Sequence, residues 1–236
     1  MRYLYSVWLV AALNGLSLNV LGHSKALADD TCIDPKTVVG ATYLISGSSD
    51  KTTKEFTVLR ERAGRMVYLL STDKLTRIYE HYGDDRIAVT EYYDLEGIGI
   101  EYAPAKNENV GWDSIYEFFP ESNAKGTDIT GSGQWRCLET ETREGSVAAG
   151  NLTATFITDI HLPLDVHETS EKGSVDWQLT AIHTDDKLLK ASLERVDGYK
   201  SYDFADLGDS ENEDFFRNSE WLKYKLHGPE GDGHSH

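Results

Sequence analysis

GRMVYLLSTDKLTRIYEHYGDDRIAVTEYYDLEGIGIEY, residues 64–102, alternates β-branched and aromatic runs with turn residues, which is the grammar of antiparallel hairpins. Residues 66–70, 75–82, 86–93 and 98–102 read as strands. Ala63-Gly64, Gly83-Asp84-Asp85 and Glu96-Gly97 mark the turns between runs, because glycine adopts the positive φ that a tight turn needs. Upstream, residues 37–46 and 55–60 extend the same pattern, so the first half of the chain predicts a meander of simple hairpins.

The second half repeats it. Trp112, Tyr116 and Phe118 are spaced by even numbers, Trp135 precedes Cys137, and Leu152, Ala154, Phe156 and Ile160 share a face, since alternate residues of a strand point the same way. Val175, Trp177, Leu179 and Ala181 form an apolar face opposite Asp176, Gln178 and Thr180. Residues 187–196 suit either a strand or a short helix and are taken as a strand, the second arm of a hairpin after 175–183. Ser210 with Glu213 has capping-box spacing, predicting one short C-terminal helix lined by Phe215, Phe216 and Leu222. The fold class expected is all-β or β-rich α+β: an antiparallel meander forming a curved sheet, half-barrel or barrel.

The first 28 residues read as a secretory signal peptide. Arg2 supplies the basic start, residues 4–21 are largely apolar, and Ala26-Leu27-Ala28 is a small-x-small cleavage site, the pattern signal peptidase requires. Asn14, Ser17 and Asn19 dilute the apolar run against its reading as a membrane anchor. Residues 29–226 then form a single β-rich domain, and 227–236, rich in Gly and polar groups and carrying His227, His234 and His236, a disordered tail. The expected location is periplasmic or secreted. Cys32 and Cys137 are the only two cysteines, and in an oxidising compartment an even pair is most simply one disulfide. A loop that long is worth about 4.7 kcal/mol in the chain-entropy model.

The formal net charge is −17, and losing a leader that carries Arg2 and Lys25 makes it more negative. Such a chain is repelled by phosphate backbones and anionic lipid, which argues against nucleic acid as a partner. No Gly-x-Ser-x-Gly elbow, phosphate-binding glycine loop or His-Glu-x-x-His pair occurs, so the geometries those motifs encode are missing. An enzymatic role is left open and is not favoured.

Two sets of residues suit a divalent metal, the one cofactor the sequence suggests, and the tail histidines His227, His234 and His236 offer copper or nickel a weaker third. His161, Asp165 and His167, with His183 nearby in a hairpin reading, offer imidazoles and a carboxylate for zinc, copper or iron, although Pro163 disturbs the alternation that would align them. Asp203, Asp206 and Asp209 open an acidic run with Glu211 and Glu213 that offers calcium hard oxygens, but Asp214 stands where a calcium loop needs glycine. Hydrogen-bonded surface histidines and a solvated acidic loop are the plainer alternatives.

The aromatics Tyr92, Tyr93, Tyr102, Trp112, Tyr116, Phe118 and Phe119 suit either a core or a pocket wall. EYYDLEG (91–97) and YDFADLGD (202–209) have the density of family signatures and by themselves assign no residue a role. Export, β content, aromatic richness and missing catalytic motifs favour a soluble binding or accessory protein for a hydrophobic ligand or a protein partner. A metal-binding or metal-handling protein is the alternative. Expressed behind its own leader in a bacterial host, the chain should be recovered from the periplasm with Asp29 at its N-terminus; intact mass and N-terminal sequencing read this directly, and a retained residue 1 would refute it.

Overall fold

The computed structural model describes residues 31–48, 52–61, 64–83, 86–106, 111–117, 126–147, 150–171 and 173–210. The leader, the helix expected at 210–222 and the His-containing tail lie outside the described residues. The described residues are mostly in strands, and the twelve strands among them form one sheet that is not closed into a barrel.

Contacts divide it into two compact units, one holding residues up to Leu59 with 113–185, the other Arg60–Trp112 with residues from Asp186 onward. The first carries β1 (Gly40–Gly47), most of β2 (Thr53–Glu61), β7 (Thr127–Trp135), β8 (Leu138–Val147), β9 (Gly150–Ile157), β10 (Leu162–Ser170) and β11 (Gly173–His183). The second carries β3 (Arg65–Leu70), β4 (Leu75–Tyr82), β5 (Arg86–Tyr93), β6 (Ile98–Lys106), helix α2 (Lys187–Asp197) and the short strand β12 (Lys200–Asp203).

In the first unit the strand order is β2-β1-β11-β10-β9-β8-β7. Five of its pairings, β1–β2, β7–β8, β8–β9, β9–β10 and β10–β11, are between sequence neighbours, and β1 pairs antiparallel with β11, joining Gly40 to His183. Tyr43 and Phe56 meet Trp177 edge-on with ring centroids 6.2 and 6.1 Å apart. Offset contacts of this kind are the favoured aromatic geometry. Leu152, Ala154 and Val166 form a further buried cluster beside Trp177.

Two of this unit's bulges break the expected alternation at residues singled out in the sequence. Thr42 lies across from Ala181 while the next residue, Tyr43, lies across from Leu179, so Thr180 is the extra residue and Ala181 turns to the face opposite Leu179. That corrects the apolar face, which keeps Val175, Trp177 and Leu179 and loses Ala181. Leu164 is skipped between Pro163 and Asp165 in the pairing with β9. Proline lacks the amide that a regular ladder needs, and a bulge is where a strand tolerates it.

The β7–β8 hairpin turns on Arg136 and Cys137, at φ 49° and 65°. Left-handed backbone at two successive non-glycine residues is costly, and three contacts hold it: Ile33 N–H donates to Arg136 O at 3.1 Å, Arg136 Nε donates to Thr31 O at 3.0 Å, and Cys137 is disulfide-bonded to Cys32.

In the second unit the order is β12-β6-β5-β4-β3, antiparallel except for β12, which runs parallel to β6. Residues 187–196, expected as a strand, are helical. Leu189, Ser192 and Val196 are its buried positions, a spacing of three and then four that fits a 3.6-residue period and no strand. The even spacing of Trp112 and Tyr116 is likewise helical, one turn of α1 (Trp112–Tyr116). Among the described residues no helix is long and apolar enough to cross a membrane.

Gly40 begins β1 where a Cβ would stand 2.1 Å from Val58 O, whereas at Gly83 it would meet nothing within 4 Å. Gly40→Ala should therefore cost about 1–3 kcal/mol by overpacking, lowering the melting temperature by several degrees. Gly83→Ala should melt within about 0.5 kcal/mol of the parent. Equal melting of the two would contradict the close approach of β1 to β2.

Candidate functional site

On β4, β5 and β6 the register sets Arg77 opposite Glu91, Glu91 opposite Ile100, Leu75 opposite Tyr93, and Val89 opposite Tyr102. Residues directly opposite share a face, so Leu75, Arg77, Glu91, Tyr93, Ile100 and Tyr102 lie on one side of this half of the sheet. Thr76 and Tyr92 lie on the other, where Arg195 of α2 donates to Thr76 Oγ1 at 2.8 Å and Tyr199 meets Tyr92 ring to ring.

Glu91 is a carboxylate in a core position, 6% exposed. Arg77 Nε donates to its Oε1 at 2.9 Å, and the hydroxyls of Tyr93 and Tyr102 each donate to its Oε2 at 3.0 Å. A buried charge is tolerable only when paired and hydrogen-bonded, and here both oxygens are engaged. Burial works against the charge on Arg77, but Glu91, followed by Tyr79, outweighs it and holds the guanidinium above its ordinary pKa. Burial, then Glu91, pushes the Tyr93 hydroxyl far up; burial does the same to Tyr68 and Tyr79. Tyr93 is thus a neutral hydrogen-bond donor to Glu91 at physiological pH.

Above the Arg77–Glu91 pair the sheet end opens into a groove of about 400 Å³. Its apolar wall is Leu75, Tyr93 and Leu95, and its charged rim Asp73, Lys74 and Glu96. Two turns shape it. Lys74 takes a left-handed conformation, φ 50°, and its carbonyl accepts from Asp94 N–H at 2.9 Å. Gly97, φ 65°, closes the β5–β6 turn, with its N–H donating to Tyr93 O. Leu95 projects from that turn 76% exposed, while Asp94 turns away to accept from Thr76 Oγ1 and Tyr199 OH.

The metal-ligand candidates are placed as follows. His161 sits at φ 51° in the turn before β10, out of line with the strand that bears Asp165 and His167. Asp165 and His167 share a face of β10, opposite Thr155 and Thr153 of β9. Asp165 bonds Thr155, with its pKa raised by burial against that bond, and His167 Nδ1 pairs with Asp176 Oδ1 on β11 at 2.6 Å. His183, carried onto the Thr42 face by the bulge at Thr180, bonds Thr42 Oγ1 at 2.8 Å, and burial lowers its pKa. Asp203 Oδ1 accepts from Ala205 N–H; Asp206 lies in the 3-10 turn that follows, and the side chain of Asp209 is outside the described set. Among the described residues, no three His, Cys, Asp or Glu side chains gather where they could hold one metal ion.

No family model matches the sequence, and no curated protein does. Solved structures do resemble it. PNGF-II aligns at 11% identity over 73% of this chain and 32% of its own, with a TM-score of 0.40. The Pseudomonas aeruginosa MucA/MucB complex aligns at 14% identity over 61% of this chain and 50% of the other, TM-score 0.33. A putative outer membrane lipoprotein-sorting protein domain from Vibrio parahaemolyticus aligns at 6% identity over 67% and 90%, TM-score 0.29. This chain thus spans about a third of the length of the first of them.

Of the aromatics read as pocket-lining, Tyr93 lines the groove and Tyr102 stands beneath it, stacked on Phe204 at 4.9 Å. Tyr92 faces α2, Trp112 stacks on His81, and Phe118 and Phe119 are outside the described residues. Sequence reasoning missed Glu91 and Arg77. The available signal was an acid between Val89 and Tyr93, at the position of β5 where the alternation calls for an apolar residue.

Arg77→Met removes the counter-charge and leaves the carboxylate buried, which should cost about 3 kcal/mol at neutral pH. The deficit should shrink as pH falls and the carboxyl takes a proton. Adding Glu91→Gln, which neutralises the site yet keeps an acceptor for both tyrosines, should recover part of the loss. Chemical denaturation of the two variants across pH 4–8 measures this; a pH-independent deficit would exclude the buried charge as its cause.

Proposed function

We propose that this chain is an exported binding protein that holds a hydrophobic ligand in the groove at the end of β4 and β5. The observation that carries the reading is Leu95, a large aliphatic side chain left 76% exposed at the rim of an open groove whose wall is Leu75 and Tyr93. A leucine in water gains about 1.5–3 kcal/mol when buried, and a small-molecule pocket joins an apolar wall to polar groups that orient the ligand. Arg77 and Glu91 neutralise one another at the floor, so the groove presents little net charge to an aliphatic chain, while Lys74 stands at the mouth for a polar head. Export is supported by the leader-like N-terminus and by the Cys32–Cys137 disulfide, which suits an oxidising compartment.

The mature chain, residues 29–236, should bind a dansyl-labelled medium-chain fatty acid saturably. Leu95→Asp should weaken binding at least tenfold with unchanged melting, as loss of one buried leucine requires. Absent saturation, or equal affinity in the variant, would overturn the groove reading. The metal-handling alternative has its own readout in the same preparation: a stoichiometric zinc, copper or calcium content would favour it.

A further inference from the structure

The strand β7 ends the sheet order of its unit, and among the described residues it pairs on one side only, with β8. Natural sheets guard such edges with Lys, Pro, bulges or short length. This one is nine residues long, TDITGSGQW, with neither lysine nor proline. It has a bulge between Ile129 and Gly131, which leaves residues 131–135 in regular register. Ser132, Gly133 and Gln134 are exposed, and no described strand pairs with the outward side of this stretch.

Charge identifies what would add to it. Asp128 lies directly opposite Glu144 in the β7–β8 register, and like charges set opposite one another destabilise a sheet. Glu139 is exposed and lines a hollow of about 540 Å³ with Ser132, Gly133, Gln134 and Thr140. Gln134 lies directly opposite Glu139 and shares its face of the hairpin, while Gly133 lies opposite Thr140 on the other. Among the described residues, none of Asp128, Glu139 and Glu144 is in an ion pair, and all three are exposed. A second copy of this chain would bring the same acids against each other, on a chain of net charge −17.

We propose that β7 is a docking edge for an extended, basic segment of a partner protein, which adds as a further strand and sets a lysine or arginine in the hollow against Glu139. Main-chain hydrogen bonds would supply affinity and the side-chain hollow specificity, the division seen wherever a peptide augments a sheet. The site is separate from the groove of the other unit and does not depend on it.

The test uses the mature chain and two fluorescent ten-residue peptides of equal charge, one alternating lysine with valine, the other with proline replacing valine. The lysine–valine peptide should bind saturably, slow amide exchange at residues 131–135, and lose at least tenfold in affinity with Glu139→Lys. Gln134→Lys, which sets a cation beside Glu139 on the same exposed face, should melt like the parent and bind more weakly. Equal binding of the proline peptide would show attraction by charge alone and overturn strand addition. So would unchanged affinity in both variants, no binding at all, or sedimentation showing that the edge is already closed by self-association.

Discussion

The pairing of β1 with β11 is the constraint on which the first unit depends. The other described pairings of that unit join strands close in sequence, whereas this one brings Gly40 beside His183. Closing so long a loop has an entropic cost that local hairpins do not meet, and non-local pairing is the slow part of assembling a sheet. Three features stabilise it once formed: Gly40 lets β2 approach closely, Trp177 fills the space between Tyr43 and Phe56, and His183, Thr42 and Thr57 form a chain of 2.8 Å hydrogen bonds across three strands. The Cys32–Cys137 bond ties a second distant pair of segments within the same unit. It does so at the tip of a hairpin whose two turn residues are left-handed, so the covalent link and the strained turn are one device.

The second unit is organised around a charge. A carboxylate inside a sheet is an unfavourable choice for stability, since an apolar side chain of similar volume would generally serve as well or better. Glu91 nevertheless has every oxygen bonded, to Arg77, Tyr93 and Tyr102. What the arrangement provides is position: four side chains from three strands are held in one geometry at the floor of a groove. On the other side of the same strands, Thr76 and Asp94 bind Arg195 and Tyr199. Helix α2 is thereby fixed to the face that the groove does not use.

The meander was legible because hairpins write themselves locally. Gly97 at the β5–β6 turn and the alternation through residues 86–93 needed only neighbours to be read. Two kinds of feature were not legible. Leu189, Ser192 and Val196 mark α2 as helical only once their burial is known, because the leucines around them satisfy a strand pattern as well. Bulges shift register by one residue, which moves every later side chain to the other face; thus Ala181 and His183 could not be placed from alternation. Glu91 was hidden for a different reason. Among 40 acids no local property of the sequence separates the one that is buried, since its partners come from β4 and β6.

The distribution of those acids connects the fold to its surroundings. Several described arginines pair with particular carboxylates: Arg65 with Glu61 and Glu80, Arg77 with Glu91, Arg143 with Glu141, Arg195 with Asp94. Each pairing serves a strand, a turn or the helix dock. Arginine predominates in them because its planar fork keeps its charge and its geometry when partly buried. Beside these pairs, part of the negative surplus falls on exposed positions such as Asp128, Glu139 and Glu144. Opposed carboxylates at an open sheet edge are a standing electrostatic cost in the free protein, and a cationic strand laid beside them relieves it. The same excess that keeps copies of this chain apart therefore also selects the chemistry of what can approach.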